Sequence, residues 1–547
     1  MKKAATISFL VLMLLAFALR IAHVTYGLPL WLINDEASMV LGALKMMELK
    51  SAIPAHHLGE MSAVLYYPPY VSYLYIIPFS IVLFFQNLYH AVDFEALKII
   101  VTSDLSAYFI VARIISIAAG LLSIFFMYKA SLSIFKTSRA ALFSALLGAT
   151  SLIHISLSMS ARHWIFISLV YSAALYVLSH ESLQAKKKYL LYYLIAAIGM
   201  GVSSISIVLF MLPPLWFLFE EKQPFAKIFA LFKSWKFCLQ AVAVGFLSLL
   251  PSLLYPLSNG FLVDVTSNTT KSLLQAFASP LSMISRIGIA EPFLIIFMLV
   301  GFYFLFKKKP RVGLIFIAFI SAYSIVFYFM FRFEARFVLP LIPFILIVAG
   351  YGIDILWQKN KLFKGITALI LIVILAGSIK LAYLGHNDDS RIHAVEWAYE
   401  NLNESDKVMT YGSQLRLPAT KSAIEELRKA DQNAVRKIDL SEELRETDAF
   451  RRFQSLNVYT IQNEDFLKNI QTYAVSNGYT YVIREKSGSK IGKAMENLTS
   501  ESWKLVASFG EPSTPYSLAT SEFMGSILGL FKAKELGPEI EIYKAVK

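Results

Sequence analysis

Apolar runs of roughly 20 residues recur along this chain, and as helices they are long enough to cross a hydrocarbon core of about 30 Å. The composition agrees, because 56% of the 547 residues are hydrophobic and only 16% are charged. A soluble domain of this length needs more charge to cover its surface. The sequence therefore predicts a polytopic α-helical membrane protein. Candidate spans lie at roughly 5–25, 62–90, 105–128, 139–156, 163–180, 189–219, 237–256, 289–306, 312–331, 337–356 and 363–384.

The ends of these runs limit what else the chain can be. The first apolar run continues to about Ala22 without a small-residue cleavage site, which favours a retained span over a signal peptide. The single cysteine, Cys238, excludes an intrachain disulfide and a cysteine-based metal site. The net charge of +13 is carried by the connecting loops, so it indicates membrane orientation and no nucleic-acid partner.

Basic connections predict the orientation, because lysine and arginine favour the cytoplasmic side. If the lysine-rich loops from 129–139 onward are cytoplasmic, residues after about 385 lie outside the cell (plasma or inner) membrane. Segment 62–90 conflicts with a single crossing and contains Pro68, Pro69 and Pro78, so a re-entrant or broken hairpin stays open, giving about 11–13 spans. The long run 189–219 is interrupted by glycine and serine and is predicted to form two short helices.

The composition becomes polar after residue 384, which predicts two domains: a membrane module over 1–384 and an extracytoplasmic α/β domain over 385–547. Apolar residues at helical spacing predict a helix over 391–402, and a second helix over 464–476 ends at Gly478. Segments rich in Val, Ile and Tyr predict strands at 407–411, 457–461, 479–484, 505–509 and 539–546. The domain carries no phosphate loop and no obvious nucleophile, so we expect it to shape or cover a site located in the membrane module.

Four polar groups at predicted outer span ends are candidate functional residues, since ionisable residues near the membrane are costly and tend to be functional. Each has a simpler interpretation: a solvated acidic loop, a proline that starts a helix, an arginine that snorkels to the interface. The last group places two arginines on the outer side, against the orientation rule, which favours function. In chain order the candidates are Asp35 with Glu36, Tyr67 before a Pro-Pro pair, Arg162 with His163, and Arg332 with Arg336.

Together these motifs resemble the GT-C membrane glycosyltransferases, specifically the group of protein O-mannosyltransferases and lipid A aminoarabinose transferases. The resemblance covers roughly residues 5–384 and rests mainly on Asn34-Asp35-Glu36, Tyr67-Pro68-Pro69 and the segment from Arg336 to Pro343. The chain departs from it at two positions. Tyr67 stands where relatives often have His or Lys, and His163-Trp164 stands where many have an Asp, which does not favour a metal-dependent arrangement.

The resemblance implies an inverting glycosyltransferase, of the hexosyl or pentosyl class, that uses a polyprenyl-phosphate-linked sugar at the outer face of the membrane. The acceptor is a protein, a glycan or a lipid. The resemblance implies a catalytic role for Asp35, as general base, with Glu36 beside it. The donor phosphate is expected to be bound by Arg336, Arg332, Arg162, Tyr67 and His163. No cofactor is expected, and a divalent metal is possible but not indicated. The alternative function is a transporter or lipid flippase for an anionic or lipid-linked substrate.

Overall fold

The computed structural model describes residues 2–33, 35–220, 235–256, 273–330, 335–387, 389–432, 434–435, 451–500, 502–511 and 526–546. Helices dominate the first 386 residues, because their apolar side chains offer no period-two pattern and their polar residues fall at helix ends. The longer helices are Lys2–Ile21, Glu36–Glu48, Tyr70–His90, Phe94–Ser103, Ser106–Phe135, Ser138–Thr150, His163–Ser179, Ala185–Val202, Trp235–Leu254, Leu273–Ala290, Pro292–Lys308, Pro310–Met330, Ile342–Lys359 and Lys361–His386. Shorter helical pieces are Pro54–His57, Leu58–Val64, Leu152–Ser158, Ser204–Met211, Leu212–Glu220 and Ala335–Leu341.

Six helices in the described residues are long and apolar enough to cross a membrane, and a bent pair adds a seventh. Three further apolar helices are shorter, His163–Ser179, Ser204–Leu218 and Pro310–Val326. The chain is therefore a multi-pass membrane protein by the length and composition of its helices. The expected total of about 11–13 spans stays a prediction.

Small and hydroxylated residues bring these helices close together, as is common where helices pack in lipid. Ser123 of the helix Ser106–Phe135 lies within 3.0 Å of the Ser168 hydroxyl and 2.9 Å of the Ser172 hydroxyl of the helix His163–Ser179. A Cβ at Gly301 would lie 2.1 Å from the carbonyl oxygen of Val348, so this position admits only glycine. The resulting core is continuous, and most of the helix Ile342–Lys359 is buried in it.

The helix boundaries bear on three of the predicted spans. The run 189–219 does divide, at Ser203, as predicted. Segment 62–90 is interrupted between the helices Leu58–Val64 and Tyr70–His90, and the second helix continues through Pro78 without a break. Whether the segment crosses the membrane once stays a prediction. The predicted span 139–156 is instead bent by 58° at Ser151. That bend is stabilised by Glu291, whose Oε1 accepts hydrogen bonds from the Ser151 hydroxyl at 2.7 Å and from the Ile153 amide at 2.9 Å.

The C-terminal region folds around a five-stranded sheet. The strands are β1 Lys407–Tyr411, β2 Gln454–Asn457, β3 Tyr481–Glu485, β4 Trp503–Phe509 and β5 Ile540–Ala545. Their order in the sheet is β2-β1-β3-β5-β4. Strands β1, β2 and β3 are parallel, whereas β5 is antiparallel to both β3 and β4. The helices are Ser390–Asn401, Lys421–Ala430, Glu464–Lys468, Ile470–Ser476, Lys490–Leu498 and Ile527–Lys532. This small α/β domain agrees with the predicted fold class.

Two predicted elements in this domain are wrong in detail. The strand expected at 457–461 ends at Asn457, whose side chain accepts a hydrogen bond from the Tyr459 amide and starts a 3₁₀ turn. The helix expected over 464–476 is divided at Asn469. Side chains that bond to their own backbone compete with regular structure in this way.

Apolar contacts attach the domain to the membrane module. Leu19, at the end of the first helix, shares a buried cluster with Leu530 and Leu536. Leu32 packs against Ile392 of the helix Ser390–Asn401. The connection of residues 22–35, here called the acid loop, therefore lies beneath the α/β domain.

Candidate active site

Asp35 occupies the residue before the helix Glu36–Glu48, with a left-handed backbone conformation (φ 64°). Aspartate tolerates this conformation better than most residues because its short polar side chain can bond locally. Its carboxylate makes no cap hydrogen bond to the helix that follows and is 28% exposed. A carboxylate held in this way remains accessible to a substrate.

Glu36 is placed quite differently from its neighbour. Its side chain is fully buried and forms a two-pronged ion pair with Arg113, from Nε to Oε1 at 2.7 Å and from Nη2 to Oε2 at 2.6 Å. Arg113 also donates through Nη1 to the carbonyl oxygens of Val24 at 2.9 Å and Tyr26 at 2.8 Å. Because both charges are paired and hydrogen-bonded, this buried pair is geometrically fixed.

Arg162 reaches the site from the turn before the helix His163–Ser179. Its Nη2 donates to Asp35 Oδ2 at 3.2 Å, and the side chain is only 2% exposed. The amide of the preceding residue, Ala161, donates to Glu36 Oε1 at 2.7 Å. Glu36 therefore positions both members of the Asp35–Arg162 pair. It is covalently next to Asp35, and it binds the amide of Ala161, which precedes Arg162.

Aromatic rings line the same end of the bundle. The rings of Tyr67 and His163 have centroids 4.2 Å apart, and those of His163 and Trp164 are 4.5 Å apart. Trp164 in turn meets the edge of Phe337 at 5.1 Å. The predicted site residues Asp35, Glu36, Arg162, Tyr67 and His163 thus lie in one connected group.

Two of the predicted site residues, Arg332 and Arg336, come late in the membrane module. Arg332 lies outside the described residues, and Arg336 belongs to the 3₁₀ helix Ala335–Leu341. Phe337, the next residue, packs on Trp164, so the backbone that carries Arg336 approaches the group around Arg162. The roles predicted for both arginines stay predictions.

The α/β domain adds a positive charge at this place. Burial raises the pKa of Tyr66, the negative charge of Asp35 raises it further, and the guanidinium of Arg416 acts in the opposite direction. Tyr66 therefore keeps its hydroxyl proton at neutral pH. Arg416 follows strand β1, so the α/β domain brings a guanidinium close to Tyr66, the residue on which Asp35 also acts.

Sequence reasoning did not find the partners of Glu36. Its partner Arg113 lies within an apolar helix and donates to Glu36 inside the protein. Tyr26 and Arg416 were not considered, because nothing in their spacing indicates proximity to Asp35. An arginine inside an otherwise apolar helix is costly to bury without a partner. This feature of the sequence was the available sign that Arg113 has a buried acidic partner.

The arrangement suits proton and phosphate chemistry. A partly exposed carboxylate accepts a proton, and an adjacent guanidinium stabilises an anionic leaving group by charge-assisted hydrogen bonds. In the part of the chain that the structure describes, no three His, Cys, Asp or Glu side chains are grouped so as to hold a metal ion.

Comparison with known proteins gives one family match. Residues 288–417 match the Alg9-like mannosyltransferase family. This region includes the helices from Pro292–Lys308 to Lys361–His386 and ends in the segment after β1. It does not include Asp35 or Arg162. No curated protein sequence shows a significant match.

Two solved structures resemble the chain over most of its length. Both are of ArnT from Cupriavidus metallidurans, one bound to undecaprenyl phosphate and one in the apo state. They are 13% and 12% identical in sequence, each with a TM-score of 0.44, and each comparison covers 92% of this chain and 96% of that chain.

Proposed function

We propose that the chain is a membrane glycosyltransferase of the GT-C type, a proposal supported by the match of residues 288–417 to the Alg9-like mannosyltransferase family, and that its donor is a polyprenyl-phosphate-linked sugar. The acceptor is a protein, glycan or lipid at the outer face of the plasma or inner membrane. The observation that carries this proposal is the contact between Asp35 and Arg162 at 3.2 Å. It supports a site that handles a proton and a phosphate side by side.

Asp35 acts as the general base in this proposal. The acceptor hydroxyl gives its proton to an Asp35 carboxylate oxygen while the acceptor oxygen bonds to the anomeric carbon of the sugar. The bond from that carbon to the phosphate oxygen breaks, and the polyprenyl phosphate departs with the electron pair. A single displacement inverts the anomeric configuration. General-base assistance of this kind is typically worth about 10²–10⁴-fold in rate.

Arg162 exchanges partners as the reaction proceeds. The contact from Nη2 to Asp35 Oδ2, at 3.2 Å, lies at the long end of the hydrogen-bond range and is therefore weak. As Asp35 becomes neutral by taking the proton, negative charge develops on the departing phosphate, and the guanidinium interacts with it instead. The arginine then binds the transition state more strongly than the resting state, which is the condition for catalysis. Arg336 and Arg332 are further phosphate ligands in this proposal.

Glu36 is a positioning residue in this account, since its oxygens are occupied by Arg113 and the Ala161 amide. Tyr67 and His163 form an aromatic surface beside Arg162 and are proposed to contact the donor. A lipid-linked donor has to enter laterally from the bilayer, which is consistent with a site built where helices and loops meet.

The test uses purified protein in sealed liposomes with undecaprenyl phosphate linked to a ¹⁴C-labelled hexose or pentose. The acceptor is an envelope extract from cells that lack this protein. We expect label to move to the extract and undecaprenyl phosphate to appear in equal amount. Label that crosses the bilayer but remains on the lipid would contradict the proposal and favour the transporter or flippase.

A further inference from the structure

Three buried side chains join the membrane module to the α/β domain, and we call them the latch: Tyr26, Asp389 and Arg391. The Tyr26 hydroxyl donates to Asp389 Oδ2 at 2.5 Å, and Arg391 donates from Nε and Nη2 to the two carboxylate oxygens at 2.7 Å each. All three side chains are buried. Burial opposes the ionisation of Asp389, but the Arg391 charge and the hydrogen bonds to Arg391 and Tyr26 keep its pKa below its ordinary value.

On the domain side, the latch is fixed to the fold. Asp389 Oδ1 accepts from the Arg391 amide at 3.0 Å and so caps the helix Ser390–Asn401. The Ser390 amide donates to the Leu536 carbonyl at 3.1 Å, and its hydroxyl donates to the Pro538 carbonyl at 2.6 Å. Gly537, with φ 103°, lies so close that a Cβ there would be 2.6 Å from Asp389 Oδ1. Asp389 therefore moves with the domain.

On the membrane side, the latch leads to the active site. Tyr26 contacts the domain through its hydroxyl, and its carbonyl oxygen accepts from Arg113 Nη1 at 2.8 Å. Arg113 holds Glu36, and Glu36 holds the Ala161 amide beside Arg162. Hydrogen bonds thus link Asp389, through Tyr26, Arg113 and Glu36, to the amide of Ala161. Glu36 follows Asp35 and Ala161 precedes Arg162.

We propose that Tyr26 and Asp389 are positioning residues for sugar transfer: the docked α/β domain fixes the acid loop and thereby the separation of Asp35 from Arg162. The inference rests on the proposed function of that pair. A misplacement of about 1 Å in an active site costs up to about 10²-fold in rate. Since the hydrogen bonds from the latch lead to Glu36 and the Ala161 amide, its loss is expected to lower kcat and to leave the KM for the donor unchanged.

The chain contains a matched control for this network. In the α/β domain, Tyr543 donates to Glu541 Oε2 at 3.1 Å, and Arg484 donates to the same oxygen at 2.6 Å. The chemistry is again a tyrosine and an arginine on one carboxylate. All three residues lie on the strands β3 and β5, so this network has no part in holding the acid loop.

The experiment compares Tyr26→Phe with Tyr543→Phe in the full-length protein in liposomes. Each substitution removes one hydroxyl that donates to a paired carboxylate. We expect a small decrease in Tm for Tyr543→Phe and a larger one for the more buried Tyr26→Phe, but a roughly tenfold lower kcat with an unchanged donor KM for Tyr26→Phe alone. Asp389→Asn is expected to lower kcat further, again without a change in KM. Equal kcat values for Tyr26→Phe and Tyr543→Phe would overturn the inference.

Hydrogen exchange gives a measurement that needs no donor. We expect faster deuterium uptake in residues 22–35 of Tyr26→Phe than in the same residues of Tyr543→Phe. Unchanged uptake would overturn the positioning role even if activity fell. If the unmodified protein transfers no sugar, the proposed function fails, and the exchange comparison still decides whether the latch orders the acid loop.

Discussion

Two ion pairs in this protein have consecutive residues as their acids but differ in burial and in hydrogen bonding. The Glu36–Arg113 pair is fully buried, with two short hydrogen bonds between its members and further donors and acceptors satisfied around it. In the Asp35–Arg162 pair, Arg162 Nη2 lies 3.2 Å from Asp35 Oδ2, and the Asp35 side chain is 28% exposed. The backbone at Asp35 is also in the left-handed region.

The difference indicates a division of labour between adjacent acids. A buried pair with complete hydrogen bonding loses much stability when it is broken, so it fixes geometry. A loosely held, accessible pair can accept a proton and release its guanidinium to another anion at little cost. Uncommon backbone conformations persist where surrounding contacts enforce them, and they cluster at functional sites. The contacts of Glu36 enforce the conformation of Asp35.

The largest effect on stability is expected from Glu36→Ala. This change leaves Arg113 buried without its counter-charge, which costs about 3–5 kcal/mol. Thermal unfolding in detergent measures it. The control is Glu541→Ala, which breaks the Arg484 pair in the α/β domain, where both side chains keep some exposure. Equal losses in the two variants would remove the contrast between the buried pair and an ordinary one.

The next largest effect is expected from Arg162→Ala. Loss of a donor that stabilises developing charge typically lowers kcat by about 10²–10³-fold. Arg162→Lys keeps the charge but not the planar guanidinium group, and we expect its kcat to lie between those of Arg162→Ala and the unmodified protein. Steady-state transfer with the lipid-linked donor measures both. A kcat near that of the unmodified protein for Arg162→Ala would show that the open pair is not part of the chemistry.

A smaller effect is expected from Gly385→Ala, which tests the support of the acid loop. A Cβ at Gly385 would lie 1.7 Å from the ring of His23, where the acid loop meets the end of the helix Lys361–His386. Overpacking of this kind costs about 1–3 kcal/mol. Gly365→Ala, in the same helix Lys361–His386, is the control, because a Cβ there meets nothing within 4 Å. We expect Gly365→Ala to be neutral or slightly stabilising by Tm.

The smallest effect is expected from Tyr66→Phe. Burial and the charge of Asp35 raise the pKa of Tyr66 above its ordinary value, so its hydroxyl is protonated at neutral and mildly alkaline pH. Removing this neutral hydroxyl should lower kcat only a few-fold. Because the hydroxyl does not titrate between pH 7 and 9, the profiles of kcat against pH for the variant and the unmodified protein should be parallel in that interval. If kcat changes with pH between 7 and 9 in the unmodified protein and that change is lost in Tyr66→Phe, the prediction is contradicted.

Much of the architecture follows from the sequence, because residues buried in lipid or in a protein core form apolar runs or recur at the spacing of helices and strands. These patterns predict the polytopic class, the polar domain after residue 384 and four of its five strands. Helix Lys421–Ala430 was not predicted, although Thr420 offers a capping oxygen to the Ala423 amide and Ile424 and Leu427 are buried. Five of the seven predicted site residues form one connected group in the structure.

The pairing of charges does not follow from the sequence. Glu36 and Arg113 lie 77 residues apart, and helical periodicity fixes which face of a helix is apolar but not which helix it meets. The acidic residues Asp35 and Glu36 look equivalent in the sequence, and only their surroundings distinguish them. The same holds for Tyr26 and Asp389, which are 363 residues apart.

The most direct measurement compares single-turnover transfer by Asp35→Asn and Glu36→Gln, each with its Tm. In Asp35→Asn we expect a Tm that falls less than in Glu36→Gln and a rate lower by about 10²–10⁴-fold, because the base is lost while the partly exposed Asp35 side chain contributes less to the fold. In Glu36→Gln we expect a clearly lower Tm with residual transfer, because the base remains while its support weakens. Full activity in Asp35→Asn, or an inactive Glu36→Gln of unchanged Tm, would contradict the assignment of the two acids.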